Sequence, residues 1–309
     1  MDRAKSLGID PSRAYQLRQV LEAHLAWLEK RPGGVRADLT GASLGDLKLE
    51  RANLRHVILK RASLLEANLS GADLSGAVLE GADLREASLP GADLTAADLS
   101  SANLSHCWLA EACLAEASLQ FTSFNHANLR NVRMPEAKLH ECDFLGAALT
   151  GAGLHHVSAF ETNFSDANLE DALLYHARLD RCRFIGANAS RANFSSARVQ
   201  YCDFRNALLT GAKFQGADLS GSSFSRALMG GCDLREARMS GADFTGATLS
   251  NALFGEAQTF TADFRNANLQ GARGLTAIQL SQARTDDRTI LPSGRSGPFV
   301  KGSGGEKPR

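Results

Sequence analysis

Between Leu39 and Leu269 an apolar residue returns at every fifth position almost without exception, a period that neither a helix nor an ordinary strand can use. Helical side chains repeat every 3.6 residues and strand side chains every two, and neither stays in phase with five for more than a few steps. The run holds 47 such units, whose central residue is Leu, Phe, Met or Val except at Ala159, Ala189 and Thr259. Two residues before the centre, alanine fills 35 of the 47 sites. A longer period lies over the short one. Phenylalanine recurs every twenty residues at Phe124, Phe144, Phe164, Phe184, Phe204, Phe224, Phe244 and Phe264, and a broken second set (Phe194, Phe214, Phe254) lies ten residues out of phase.

Two inward residues in five, one large and one small, suit a chain that turns a corner once per unit and closes a circuit in four units. The large centre fills the interior and the small residue lets neighbouring corners approach. Stacked circuits would lie one strand spacing apart, about 4.8 Å, with backbone hydrogen bonds running from coil to coil. Each coil then relies on its neighbours to cover its core, as in other solenoids. Glycines such as Gly71, Gly76, Gly81, Gly91, Gly211 and Gly221 close many units, at a corner that needs unusual dihedrals.

Units such as Ala72-Asp73-Leu74-Ser75-Gly76 and Ala217-Asp218-Leu219-Ser220-Gly221, held in strict register over residues 37–272, resemble the pentapeptide repeat family. The resemblance implies an all-β solenoid, a right-handed quadrilateral β-helix with Leu or Phe and Ala pointing inward. Nearly twelve coils, about 57 Å of rod, follow from the unit count at that spacing. It also implies a range of roles. Some family members mimic a DNA duplex and bind DNA gyrase, some serve bacterial secretion systems as adaptors or effectors, and many pair end to end as homodimers.

The ends differ from the middle, because an open stack would expose its core and unpaired strand edges. Residues 1–36 read as an N-terminal capping helix and linker. Asp10-Pro11 starts a helix over about 11–30, and Ala14, Leu17, Leu21, Leu25 and Leu28 form its apolar stripe. Residues 273–292 read as a C-terminal cap with a short helix from Thr276 to Ala283, Ile278 and Leu280 turned onto the last coil. The Gly/Ser/Lys-rich stretch 293–309 is expected to be disordered.

Charge is balanced, 34 basic against 34 acidic residues, so no overall field draws the chain to nucleic acid or membrane. The start, MDRAKSLGID, has no apolar core of a secretory signal, and no apolar run reaches the length of a membrane helix. Six cysteines without an export signal point to reduced thiols and a cytoplasmic location. Five of them (Cys107, Cys142, Cys182, Cys202, Cys232) take the small inward position, and Cys113 does not. There is no phosphate-binding loop, no nucleophile elbow and no expected concave pocket, so no enzyme and no cofactor is indicated.

The candidate surface residues fall into three groups. His155, His156, Tyr175 and His176 occupy two adjacent outward columns, one coil apart, and form a candidate partner-binding patch. A metal site from Glu136, His156 and His176 is weighed and set aside, because three ligands in a straight ladder make poor tetrahedral geometry. Trp108 and the stacked pair Leu208 and Leu228 are candidate apolar contacts, whereas Phe160 and Phe260, beside the small centres Ala159 and Thr259, are expected to swing inward. Residues 62–129 hold nine acids, among them Asp73, Asp83, Glu86, Asp93 and Asp98, against the single base Arg85. That is a net −8 over about 16 Å, where a duplex carries roughly ten charges, so these coils are the candidate gyrase-binding surface. The favoured expectation is a non-catalytic scaffold for another protein.

Overall fold

The computed structural model describes residues 11–308, with side chains from residue 15 onward. The expected helix start at Asp10 and the side chain of Ala14 lie outside the described residues. Within the repeat, the local rule is a β-turn at each centre. The amide of the small residue donates to the carbonyl of the preceding centre, as Ala62 does to Leu59 at 3.1 Å and Ala67 to Leu64 at 3.0 Å. The third residue of the turn is left-handed at every corner from Gly41 to Gly271, 15 of them glycine and 32 not. A left-handed residue with a side chain costs roughly 1 kcal/mol or more, so corner geometry is imposed by the stack rather than by local preference. Where Asp or Asn precedes the centre it favours the turn, accepting from the backbone N–H two residues on. Asp73 takes Ser75, Asn103 takes Ser105 and Asp218 takes Ser220 in this way.

The stack is a parallel ladder with a shift of twenty residues, running from Asp38 paired with Ile58 to Leu253 paired with Arg273. One wall is regular enough to form short strands: β1 (Ser158–Phe160), β2 (Arg178–Asp180) and β3 (Arg198–Gln200), paired in that order. The other bridging sites repeat every five residues, so twenty residues make four sides. Leu59 N–H donates to Val78 of the next coil at 2.7 Å, and Val78 N–H donates back to Val57 at 2.9 Å.

The core follows from that register. Phe124 through Phe264 form one pile of rings, with successive centroids 4.4 to 5.2 Å apart where twenty residues separate them. Phe194 and Phe214 stack at 4.8 Å in a second pile and meet the first edge-to-face, Phe184 to Phe194 at 6.2 Å and 84°. Both arrangements suit aromatic quadrupoles. The polar substitutes for alanine are satisfied in one repeated way. The side chains of Thr122, Cys142, Thr162 and Ser222 each donate to the carbonyl of the centre 23 residues earlier. Burial pushes the Cys107, Cys142 and Cys232 thiols up to about 12.

At the N-terminal end, α1 (Pro11–Leu28) lays Leu17 and Leu21 over the leucines of the first coils. His24 fastens it. The ring is fully buried, its Nδ1 accepts from Ala37 N–H at 3.1 Å, and its Nε2 lies 2.9 Å from the Arg55 carbonyl. That pattern fixes the neutral tautomer with the proton on Nε2. Trp27 stacks on His24 at 5.6 Å, and a side chain at Gly34 would collide with the Trp27 backbone at 2.3 Å, so the chain leaves the helix through a glycine.

The C-terminal end departs from expectation in three places. In α2 (Ala277–Gln282), capped by Thr276 and Gln279, Leu280 turns inward, whereas Ile278 is 64% exposed. Gln279 is the second buried residue there because its side-chain amide donates to the carbonyl of Ala257, which has no backbone donor at the end of the stack, and to that of Phe254, which also accepts from Ala257 N–H. Residues 293–308, expected to be disordered from composition, lie against the last coil. Ser293 N–H donates to the Gly305 carbonyl, Phe299 N–H donates to Thr285 Oγ1, and the Phe299 side chain packs on the core. Phe260, expected to turn inward, is 62% exposed, since Thr259 fills its own space and bonds the Gln279 carbonyl; Phe160 is half-buried under the Arg181 guanidinium.

Three outcomes follow. Burial lowers the pKa of His24, with the Arg55 carbonyl opposing and Arg36 and His56 assisting, so the unfolded cap takes up a proton more readily than the docked one. Docking of α1 should therefore be strongest above about pH 6.5 and weaken as pH falls below it, read as a falling protection factor of the Ala37 amide, with His24→Gln flattening the dependence. In the native protein one thiol, Cys113, should react with an aromatic disulfide reagent well before the five buried ones. At Ala96, held at φ 55°, Ala96→Gly should stabilise by about 0.5–1 kcal/mol and Ala96→Val destabilise, measured by thermal unfolding.

Candidate functional site

His155 and His156 are the two turn residues that follow Leu154, and His156 is left-handed at φ 60°. Tyr175 and His176 hold the same two places one coil on. The twenty-residue register therefore sets ring over ring. His155 stacks on Tyr175 with centroids 4.9 Å apart and planes 6° from parallel, and His156 stacks on His176 at 5.1 Å. The two stacks meet edge-on at about right angles, His156 to Tyr175 at 6.0 Å and 84°. The result is a fixed two-by-two array of rings on one corner. Burial lowers the pKa of His155, nearby His156 adds to this and Glu136 opposes it. His155 Nδ1 is buried and without a hydrogen-bond partner.

The corner borders the wall of β1, β2 and β3, where Arg178 and Arg198 are register partners and both exposed. A shallow depression there is lined by Glu136, His156, Ser158, His176, Arg178, Ser196 and Arg198. Trp108, Leu208 and Leu228 are not part of this surface. They share a column ten residues out of phase with β1–β3, hence on the opposite wall, and Trp108 lies five rungs from Leu208. Leu208 and Leu228 are direct register partners, 40% and 46% exposed.

The repeat pattern alone did not single out a second imidazole stack, His106 on His126 at 5.3 Å. The signal for it was present in the twenty-residue spacing. Corner glycines also act as seats for rings one coil earlier. A side chain at Gly221 would meet the Tyr201 ring at 2.6 Å, and one at Gly76 would meet His56 at 2.3 Å.

The acidic candidates are distributed around the rod. Asp73 and Asp93 are register partners on one wall, Asp83 is half a coil away from them, Asp98 lies on a third wall and Glu86 on a corner. Several are engaged locally. Asp73, Asp93 and Asp98 accept from the N–H of Ser75, Thr95 and Ser100, and the Arg85 guanidinium holds the Asp83 carboxyl below its usual range. Among the described residues no three His, Cys, Asp or Glu side chains are grouped to hold a metal ion, and no helix is long and apolar enough to cross a membrane.

Comparison with known proteins matches what the geometry describes. Models of pentapeptide repeats match residues 37–76, 77–114, 112–155 and 217–255, and a model of a pentapeptide repeat region matches 157–234. No curated protein matches the chain. Among solved structures it is similar to HetL, a pentapeptide repeat protein involved in heterocyst differentiation regulation from the cyanobacterium Nostoc sp. strain PCC 7120. Identity there is 27% over 79% of this chain and 94% of that one, with a TM-score of 0.31. It is similar to QnrB1, a plasmid-mediated fluoroquinolone resistance protein, at 23% identity over 57% and 91% of the two chains, with a TM-score of 0.39. A pentapeptide repeat protein of the Arabidopsis thaliana thylakoid lumen is 28% identical over 36% of this chain and 85% of that one, TM-score 0.20. With its five-residue units matched over most of the interval from 37 to 255, the chain belongs to the pentapeptide repeat family.

Proposed function

We propose that this protein is a non-catalytic scaffold of the cytoplasm, a right-handed rod of about twelve coils, that binds a protein partner across the corner carrying His155, His156, Tyr175 and His176. The observation that carries it is the ring array itself. Four aromatic side chains are held by stacking before any partner arrives, so binding loses little side-chain entropy on this side. Tyrosine and histidine also pair apolar area with a polar edge, the chemistry that interfaces favour. The unpartnered Nδ1 of His155 lies within the array as a further polar group. Six unpaired thiols agree with a reducing compartment.

The test is affinity capture from the native cell with the full chain and with His155→Ala/Tyr175→Ala. Because these rings lie at the corner and outside the core, the double variant should keep the circular dichroism of the parent. Loss of a central aromatic contact costs about 2 kcal/mol or more, so the captured partner should bind at least about thirtyfold more weakly. Trp108→Ala, on the opposite wall, should bind as the parent does. Undiminished binding by the double variant would defeat the assignment of this corner.

A further inference from the structure

The wall beside the ring array carries two arginines that form no ion pair among the described residues. Arg178 and Arg198 are register partners in β2 and β3, so their Cα atoms stand about 4.8 Å apart. Within the repeat an arginine that follows an aspartate by two residues folds back onto it, as Arg85 does on Asp83, Arg205 on Asp203, Arg235 on Asp233 and Arg265 on Asp263. The residues two before Arg178 and Arg198 are His176 and Ser196, which offer no carboxylate. Among the described residues neither guanidinium has a carboxylate oxygen within 4.0 Å. Among the described residues Arg198 donates through Nε to Gln200 and its two terminal amino groups make no hydrogen bond, nor does the Arg178 side chain. Asp218, the register partner of Arg198 on the next coil, is occupied by Ser220 and Gln200.

Like charges carried on adjacent rungs of one wall repel, and an anion placed between them converts that cost into attraction. Guanidinium forks match tetrahedral oxyanions in bidentate geometry. His176 and Ser196 line the same depression and add an imidazole and a hydroxyl. The surrounding charge limits what the anion can belong to. Glu136, Glu141, Glu161 and Asp180 lie on the same wall or its bordering corners, so a chain of phosphates running along the rod would meet carboxylates on both sides of the arginine pair. A single dianionic group sits between the two guanidinium groups and meets one lining carboxylate, Glu136, in place of a series of them.

We propose that Arg178 and Arg198, with His176 and Ser196 beside them, form a binding site for one phosphoryl group carried on a serine or threonine of a protein partner. The proposal rests on the scaffold function above and gives the chemistry of the segment that lies next to the ring array.

The experiment is calorimetric titration of the full chain with inorganic phosphate, with a short phosphoserine peptide, and with a short single-stranded oligonucleotide. Phosphate and the phosphoserine peptide should bind saturably and compete. Arg178→Gln/Arg198→Gln should weaken both by about tenfold per guanidinium, and Arg133→Gln/Lys213→Gln, on a neighbouring wall, should leave them unchanged. Absence of saturable binding, equal binding by the arginine double variant, or an oligonucleotide that displaces the phosphoserine peptide would each overturn the proposal. Phosphatase treatment of the captured partner separates this inference from the scaffold function. Capture that survives the phosphatase and still depends on His155 and Tyr175 removes the phosphoryl site and leaves the scaffold. Phosphoserine binding that persists while capture ignores the ring array does the reverse.

Discussion

Everything in this molecule depends on the coil-to-coil backbone ladder with its shift of twenty residues. Each wall contributes amides that donate to the next coil and carbonyls that accept from it, so a change of register at one coil would displace all those beyond it. The ladder also holds 32 non-glycine corner residues in a left-handed conformation that each would avoid in isolation. Local preference and global structure disagree at those corners, and the global structure prevails because the buried core and the ladder bonds are shared by neighbouring coils.

The same register generates both the interior and the surface. Inside, it piles phenylalanines into two columns that interlock edge-to-face. Outside, it sets histidine on tyrosine, histidine on histidine, leucine beside leucine and arginine beside arginine. A surface of this kind is already ordered in the free protein. Side chains that would sample many rotamers on an ordinary surface are confined by their neighbours one rung away, and corner glycines give the larger rings somewhere to lie. Rigid contact area of this sort lowers the ordering cost of recognition.

The two ends are built by different means. At the front a buried imidazole joins the helix to the beginning and the end of the first coil, using each of its nitrogens once. At the back a glutamine amide, a short helix and a folded-back tail satisfy the carbonyls that the last coils would otherwise leave open. Both cover the exposed edge of the stack, the weak point of any open β structure.

The five- and twenty-residue periods in the sequence determine the solenoid, its inward columns, the phenylalanine pile and the membership of every outward column. They do so because each side chain's direction depends only on its place in the unit. That is why the His155–Tyr175 and His156–His176 neighbours were legible from spacing, and why the five inward cysteines were too. The sequence did not reveal that Ile278 faces water while Gln279 is buried, that Phe260 stays outside, or that residues 293–308 pack on the last coil. Those outcomes lie where the repeat stops and each group must find its own partner. The Asp-x-Arg spacing accounts for pairs such as Arg85 with Asp83 and Arg205 with Asp203, but periodicity could not show the pairings made across coils, such as Lys60 with Glu80 and Arg191 with Asp171. Charge pairing depends on where flexible side chains reach across rungs and walls, which only the tertiary structure decides.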